Sequence, residues 1–115
     1  MGERNLEIIE ERQNDINIYR LHGHLDTQAS QEFEQRLFNS ITSGTKNLVL
    51  NLKGLHYISS AGIRVLLKAI NAIQCINGRI ILCCLQEYVK EVFEIAGMGI
   101  LLPIFPTKDD ALKAF

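Results

Sequence analysis

Two short apolar runs and a polar turn fill the first 21 residues of the chain. Residues 6–10 and 16–21 are rich in apolar side chains, and the polar residues 13–15 separate them. Two of these three are Asn14 and Asp15, and both residue types tolerate the left-handed backbone of tight turns. The pattern therefore predicts an N-terminal β-hairpin, and residues 22–26 are expected to lead away from its second strand.

A helical period follows the hairpin. Asp26 or Thr27 is expected to cap the start of the first helix, because either side chain can accept a hydrogen bond there. Beyond it, apolar residues recur three and four positions apart, which is typical of a helix and not of a strand. These residues are Ala29, Phe33, Leu37, Phe38 and Ile41. Ser43 and Gly44 are expected to end the helix.

The pattern in the middle of the chain predicts a strand, a helix and a second strand. Residues 48–52 are apolar and residues 53–57 are expected to form a loop. From about residue 60 to residue 76 one face is apolar, and Asn77-Gly78 predicts a left-handed end. Residues 80–85 form a continuous apolar run, as in a strand that is covered on both faces. Such a unit predicts parallel strands with a right-handed crossover.

The C-terminal part adds a helix at 87–96 that Gly97 ends, a short strand at 101–105, and a final helix that Thr107 caps. Pro103 places the short strand at a sheet edge. The sequence thus predicts an α/β fold as one domain over residues 1–115. It has a mixed, mainly parallel β-sheet of about four to five strands, about four α-helices and the N-terminal β-hairpin. Functional loops gather at the C-terminal ends of parallel strands, and residues 53–60 are expected to form such a loop.

Small polar residues join the first parallel strand to its helix. Ser59 and Ser60 stand where a hydroxyl can accept hydrogen bonds from the free N–H groups of a helix start. Ala61 and Gly62 carry little or no side chain, so another surface can approach the backbone closely. The positive end of a helix dipole also suits a phosphate group. The pair Ser59-Ser60 is therefore either a modification site or simply a helix cap.

Composition narrows the class of protein. The chain has 115 residues, of which 47% are hydrophobic and 22% are charged, as in an ordinary globular domain. A net charge of −1 argues against direct binding of nucleic acid. No apolar run approaches the roughly 18 residues of a membrane helix, so membrane insertion is not expected.

Three cysteines, Cys75, Cys83 and Cys84, lack C-x-x-C spacing. The adjacent pair is expected to point to opposite faces of a strand, where it is poorly placed to form a disulfide. All three are expected to be reduced and mostly buried, which favours a cytoplasmic protein.

Four stretches, in this order, carry a family resemblance. They are LHGHLD at 21–26, LVLNL at 48–52, ISSAGI at 58–63 and VFEIAGM at 92–98. Together they resemble the anti-sigma factor antagonists, the bacterial members of the STAS domain family (sulphate transporter and anti-sigma antagonist). The resemblance covers the chain from about residue 6 to residue 115, and it implies a single STAS domain.

In such proteins a partner kinase phosphorylates a Ser that follows an Asp, in a pattern like Asp-Ser-Ser/Thr-Gly. Matching the glycine to Gly62 places the phosphoacceptor at Ser60 and puts Ser59 where the Asp usually stands. Asp26 matches the family's other acidic position. The partner-binding residues that the resemblance implies are Asp26, Ser59, Ser60, Ala61, Gly62, Ile63 and Arg64.

The implied activity is partner switching, without enzymatic chemistry, cofactor or metal. The unphosphorylated protein binds an anti-sigma factor that is also a serine protein kinase, and this binding frees a sigma factor. Phosphorylation of Ser60 abolishes the binding, and the family usually relies on a serine phosphatase for the reverse step.

Several of these residues have a second, structural interpretation. Asp26 either orients the kinase contact or caps the first helix, and Ser59 either replaces an acidic contact or caps the second helix. Gly62 either allows close approach of a partner or fits tight helix packing. Arg64 either pairs with an acidic partner or is a solvated charge.

Three other functions compete with the switch. A non-phosphorylated STAS scaffold, or an accessory subunit of a sensory or transport complex, is favoured by the absence of Asp before Ser60. A metal-dependent hydrolase is suggested by the H-x-H-x-D spacing of His22, His24 and Asp26, with His56 as a further candidate. A cysteine nucleophile is disfavoured, because Cys83 and Cys84 lie in an apolar strand.

Overall fold

A computed structural model describes residues 5–115, so residues 1–4 of the predicted domain lie outside the described part. The strands are β1 Leu6–Gln13, β2 Ile16–Leu25, β3 Asn47–Ile58, β4 Arg79–Cys83 and β5 Ile104–Phe105. The helices are α1 Thr27–Thr42, α2 Ser60–Cys75, α3 Glu87–Ile95 and α4 Lys108–Lys113. A short 3-10 helix, Met98–Ile100, follows α3.

The five strands form one mixed sheet in the order β1-β2-β3-β4-β5. β1 pairs antiparallel with β2, and every other neighbouring pair is parallel. Asn14 adopts a positive φ of 57° in the hairpin turn, where Asn tolerates the left-handed conformation. The predicted α/β fold with a mainly parallel sheet and an N-terminal hairpin is confirmed.

Helices cover both faces of the sheet. The larger core cluster joins one face to α1, α2 and α3 through side chains such as Phe33, Leu66 and Phe93. A smaller cluster on the other face joins β-strand residues to Ala111 of α4. Ile80 and Leu82 of β4 belong to the first cluster, and Ile81 and Cys83 belong to the second. The prediction of a strand covered on both faces is therefore confirmed.

The predicted loop at residues 53–57 is wrong, because β3 continues without interruption to Ile58. β2 is also longer than predicted, and its segment 22–25 pairs in parallel with β3 up to the pair Leu25 and Ile58. The register shifts between Arg20 and His22 and again between Gly23 and His24. These irregularities break the two-residue alternation of side chains, which is the pattern that identifies a strand in a sequence.

The C-terminal strand and the cysteines also differ from the predictions. β5 lies at the sheet edge as predicted, but it has only two residues, and the 3-10 helix occupies the region before it. Cys75 ends α2 and is exposed, so the expectation that it is mostly buried is wrong. Burial raises the pKa of the Cys83 thiol to about 12, which makes it a poor nucleophile.

No helix between residues 5 and 115 combines the length and the apolar character that crossing a membrane requires.

Candidate functional site

The starts of α1 and α2 lie side by side at the C-terminal end of the sheet. Leu25 and Ile58 form the last pair between β2 and β3, and each strand runs directly into a helix. The Ser59 N–H donates to the Leu25 carbonyl oxygen at 2.9 Å, which continues the contact beyond the last paired residues. The β2–β3 pairing therefore brings Asp26 and Ser59, which are 33 positions apart in the chain, to one place.

Asp26, and not Thr27, is the cap of α1. Its carboxylate accepts from the backbone N–H of Ala29 at 2.8 Å and from the side-chain amide of Asn5, also at 2.8 Å. The hydrogen bond from Ala29 contributes most, and that from Asn5 next, to keeping the pKa of the Asp26 carboxyl below its ordinary value of 3.8. Asp26 is therefore a fixed negative charge at the start of α1.

Ser59 and Ser60 have different environments although they are adjacent. Ser59 is only 8% exposed and caps α2, because its hydroxyl accepts from the Gly62 N–H at 3.1 Å. Ser60 is the first residue of α2, is exposed, and makes no side-chain hydrogen bond within residues 5–115. Of the two predicted hydroxyls, only that of Ser60 is both accessible and free.

The start of α2 is electrically suited to an added negative charge. Its first turn contains no acidic residue, and its cap is a neutral serine. A helix N-terminus carries a partial positive charge from its aligned peptide dipoles and free N–H groups. A phosphate on the Ser60 hydroxyl would stand beside these groups in the free protein.

The remaining predicted site residues fall into two groups. Ala61 and Ile63 are half-buried, and Arg64 is exposed and makes no ion pair in the described part of the chain. Gly62 is buried, and a Cβ placed on it would lie 2.9 Å from Leu25 Cδ2 and 3.0 Å from Ile58 Cγ1. The tight packing of α2 against the ends of β2 and β3 therefore explains why a glycine stands at position 62, in agreement with the structural interpretation of this residue.

The structure does not assemble the H-x-H-x-D residues into a metal site. His22 packs over Gly54, the ring of His24 lies edge-on to Tyr57, and Asp26 is occupied as a helix cap. Across residues 5–115, no group of three or more His, Cys, Asp or Glu side chains is arranged to hold a metal ion. The hydrolase alternative therefore has no geometric support.

A row of three rings beside the site was not predicted. The ring centroids of His24 and Tyr57 are 6.1 Å apart and nearly perpendicular, and those of Tyr57 and Tyr88 are 6.4 Å apart and stacked. Tyr57 was predicted to lie in a loop, and nothing in the sequence links it to Tyr88, 31 positions later. The pairing of β2 with the extended β3 places His24 beside Tyr57, and the first turn of α3 brings Tyr88 onto Tyr57.

The chain belongs to the STAS domain family, since the family model of the STAS domain matches residues 7–111. Several of its relatives are named anti-sigma factor antagonists. It is 35% identical over 95 residues to a Bordetella bronchiseptica protein with the provisional name of anti-sigma factor antagonist BtrV. That match covers 83% of this chain and 82% of the Bordetella protein.

Solved structures share the fold at lower identity. An anti-sigma factor antagonist from Mycobacterium paratuberculosis superposes with a TM-score of 0.87 at 19% identity, covering 95% of this chain and 92% of that one. The phosphorylated form of the Bacillus cell fate determinant SpoIIAA superposes with a TM-score of 0.76 at 22% identity, covering 94% and 98%. The resemblance to the anti-sigma factor antagonist family, and the fold that it implies, are confirmed.

Proposed function

We propose that this protein is an anti-sigma factor antagonist controlled by phosphorylation of Ser60. In its unphosphorylated form it binds an anti-sigma factor that is also a serine protein kinase, and a sigma factor is released. Phosphorylation of Ser60 ends this binding, and a serine phosphatase reverses the step. The protein itself contributes a docking surface and no enzymatic chemistry, and it acts in the cytoplasm, where sigma factors act.

The observation that carries this proposal is the division of roles between the two serines. The Ser59 hydroxyl is buried and holds the helix start, so it is not available to a kinase. The Ser60 hydroxyl is exposed at the first position of α2 and has no competing hydrogen bond within the described residues. Family membership supports the same assignment, because relatives of this chain are named anti-sigma factor antagonists and SpoIIAA has a phosphorylated form.

The physical effect of the phosphate is large enough for a switch. It adds about −1.5 to −2 charges at neutral pH. At the exposed start of α2 the free protein accommodates this charge, whereas in a docked interface it is desolvated and poorly paired. Such a charge costs about 2–5 kcal/mol, which weakens binding by more than one and up to about four orders of magnitude. No large conformational change is required.

The test is affinity capture from the native lysate with Ser60→Ala and Ser60→Asp baits side by side. We expect a serine kinase of the anti-sigma type to bind the Ser60→Ala bait and to be lost from the Ser60→Asp bait. The captured kinase, supplied with ATP, should phosphorylate the unaltered chain and a Ser59→Ala variant but not Ser60→Ala. Ser59→Ala is the matched control because it removes the neighbouring hydroxyl.

Identical partners on both baits would contradict the switch. That result would favour the second candidate, a STAS scaffold or accessory subunit that uses the same surface without phosphorylation. The observation that favours this candidate is the neutral Ser59 at the cap of α2, where phosphorylated relatives usually have Asp.

A further inference from the structure

The paired ends of β2 and β3 project beyond the rest of the parallel sheet. β3 pairs with β4 through residues 47–51, and beyond Asn51 it pairs, among the five described strands, with β2 alone. In this projecting part Leu52, Leu55 and Ile58 point into the core, whereas His56 and Tyr57 are exposed. The side-chain amide of Gln86 donates to the Lys53 carbonyl oxygen and thereby fixes the start of α3 against β3.

Tyr88, from the first turn of α3, completes a surface that we call the ring row, His24-Tyr57-Tyr88. The Tyr57 and Tyr88 rings lie within 15° of parallel, and they are 39% and 51% exposed. Neither phenol makes a hydrogen bond to any residue in the described part of the chain. The rings are therefore held by one another on the surface and are not required to fill the core.

The ring row adjoins the start of α2. Tyr57 and Ser60 are three residues apart, so their Cα atoms are separated by at most about 11 Å. A protein that docks on Ser60 through an interface of ordinary size covers about 800 Å² of this chain, equivalent to a disc with a radius of about 16 Å. A docked partner of this size centred on Ser60 therefore extends as far as the position of Tyr57, whose exposed neighbours are the edge-on His24 ring and the stacked Tyr88 ring.

We propose that the ring row is the affinity anchor for the anti-sigma factor that docks at Ser60, an inference that rests on the proposed function. Exposed tyrosines are enriched among the residues that dominate binding energy, since a rigid amphipathic ring buries a large area at little entropic cost. The ring row supplies this area in both phosphorylation states. The start of α2 beside it, which has no acidic residue, is the part whose charge changes.

The experiment uses the purified kinase captured with the Ser60→Ala bait, and all binding variants carry Ser60→Ala so that phosphorylation does not intervene. Tyr57→Ala and Tyr88→Ala are each expected to raise the Kd measured by calorimetry roughly 10- to 100-fold. Tyr88→Phe, which keeps the ring, should restore the Kd to within about threefold of the parent value.

Phe115→Ala is the matched control, because Phe115 is also an exposed aromatic side chain, at 37%, and lies under the Arg79 guanidinium at 5.6 Å, outside the ring row. It should leave the Kd within about twofold of the parent value. Each variant's melting temperature is measured in parallel, so that a weakened Kd from unfolding is recognised.

Two failures are distinguishable. If the kinase binds the parent tightly and the Kd values of Tyr57→Ala and Tyr88→Ala equal that of Phe115→Ala, the ring row is not an anchor, although the proposed function stands. If no serine kinase binds the Ser60→Ala parent, the proposed function fails and the inference fails with it.

Discussion

The two helix starts at the end of the sheet have the same capping geometry, but only one of them carries a charged cap. α1 begins with Asp26 and α2 with Ser59, and each side chain accepts a hydrogen bond from the backbone N–H three residues later. The pKa of the Asp26 carboxyl is lowered, so Asp26 places a negative charge at the start of α1 at neutral pH. Ser59 fulfils the same capping role without a charge.

The difference shows how one helix start can be structural while its neighbour is available for control. Neither helix has an acidic residue in its first turn, but the cap of α1 is the negatively charged Asp26, whereas the cap of α2 is the neutral Ser59. A phosphate on Ser60 would therefore add the first acidic group to the start of α2. Because the Ser59 cap is neutral, the phosphate would meet no negative charge from the cap of its own helix, as it would beside an aspartate cap.

The largest expected effect on stability comes from a substitution at Gly62, where α2 packs against the ends of β2 and β3. Gly62 has no room for a side chain, because Leu25 is almost fully buried and its Cδ2 atom would lie 2.9 Å from the new Cβ. We expect Gly62→Val to lower the free energy of unfolding by about 1–3 kcal/mol, as overpacking typically does. Urea denaturation followed by circular dichroism measures this loss.

Gly99→Val is the control for that change, since nothing lies within 4 Å of a Cβ at Gly99. It should cost less than about 0.5 kcal/mol. Equal stability of the two valine variants would mean that α2 does not pack on Leu25 as described.

The second effect compares the two caps directly. Loss of a capping side chain costs about 1 kcal/mol, within a range of about 0.5–2. We expect the cost of Asp26→Ala at neutral pH to lie at the upper end of that range, because the substitution also removes the hydrogen bond from Asn5. We expect Ser59→Ala to cost about 1 kcal/mol. Urea unfolding at several pH values measures both.

The two losses should respond differently to acid. The folded-state pKa of Asp26 lies below its ordinary value of 3.8, so its stabilisation is fully present above that value and is lost as the pH falls through the folded-state pKa. The cost of Asp26→Ala should therefore shrink in acid, whereas the cost of Ser59→Ala should stay constant. An Asp26→Ala cost that does not change down to the acid limit of folding would show that its charge contributes nothing.

The helix starts were more predictable from the sequence than the surface beside them. Capping depends on residue types within one turn of a helix, so the pairs Asp26-Thr27 and Ser59-Ser60 could be located from local pattern alone. The pattern left open which residue of each pair is the cap, because that depends on where the helix begins to within one residue.

The ring row could not be predicted in this way. It depends on the register shifts in β2 and on the extension of β3 to Ile58, neither of which leaves a regular alternation in the sequence. The stacking of Tyr57 on Tyr88 further depends on how α3 returns to β3, which is a tertiary contact.

The smallest expected effect concerns the stability of the two Ser60 variants. Because the Ser60 hydroxyl is exposed and makes no hydrogen bond within residues 5–115, Ser60→Ala should change the free energy of unfolding by less than about 0.5 kcal/mol. Ser60→Asp should be more stable than Ser60→Ala by about 0.3–1 kcal/mol at low salt, since its charge interacts favourably with the start of α2. Added salt should reduce this gain, because exposed charges are screened. Urea unfolding of both variants at low and high salt measures this gain.

If Ser60→Asp were instead less stable than Ser60→Ala by 1 kcal/mol or more, the start of α2 would not accommodate a negative charge. A stable Ser60→Asp variant that has lost its partner would place the cost of the charge in the interface and not in the fold.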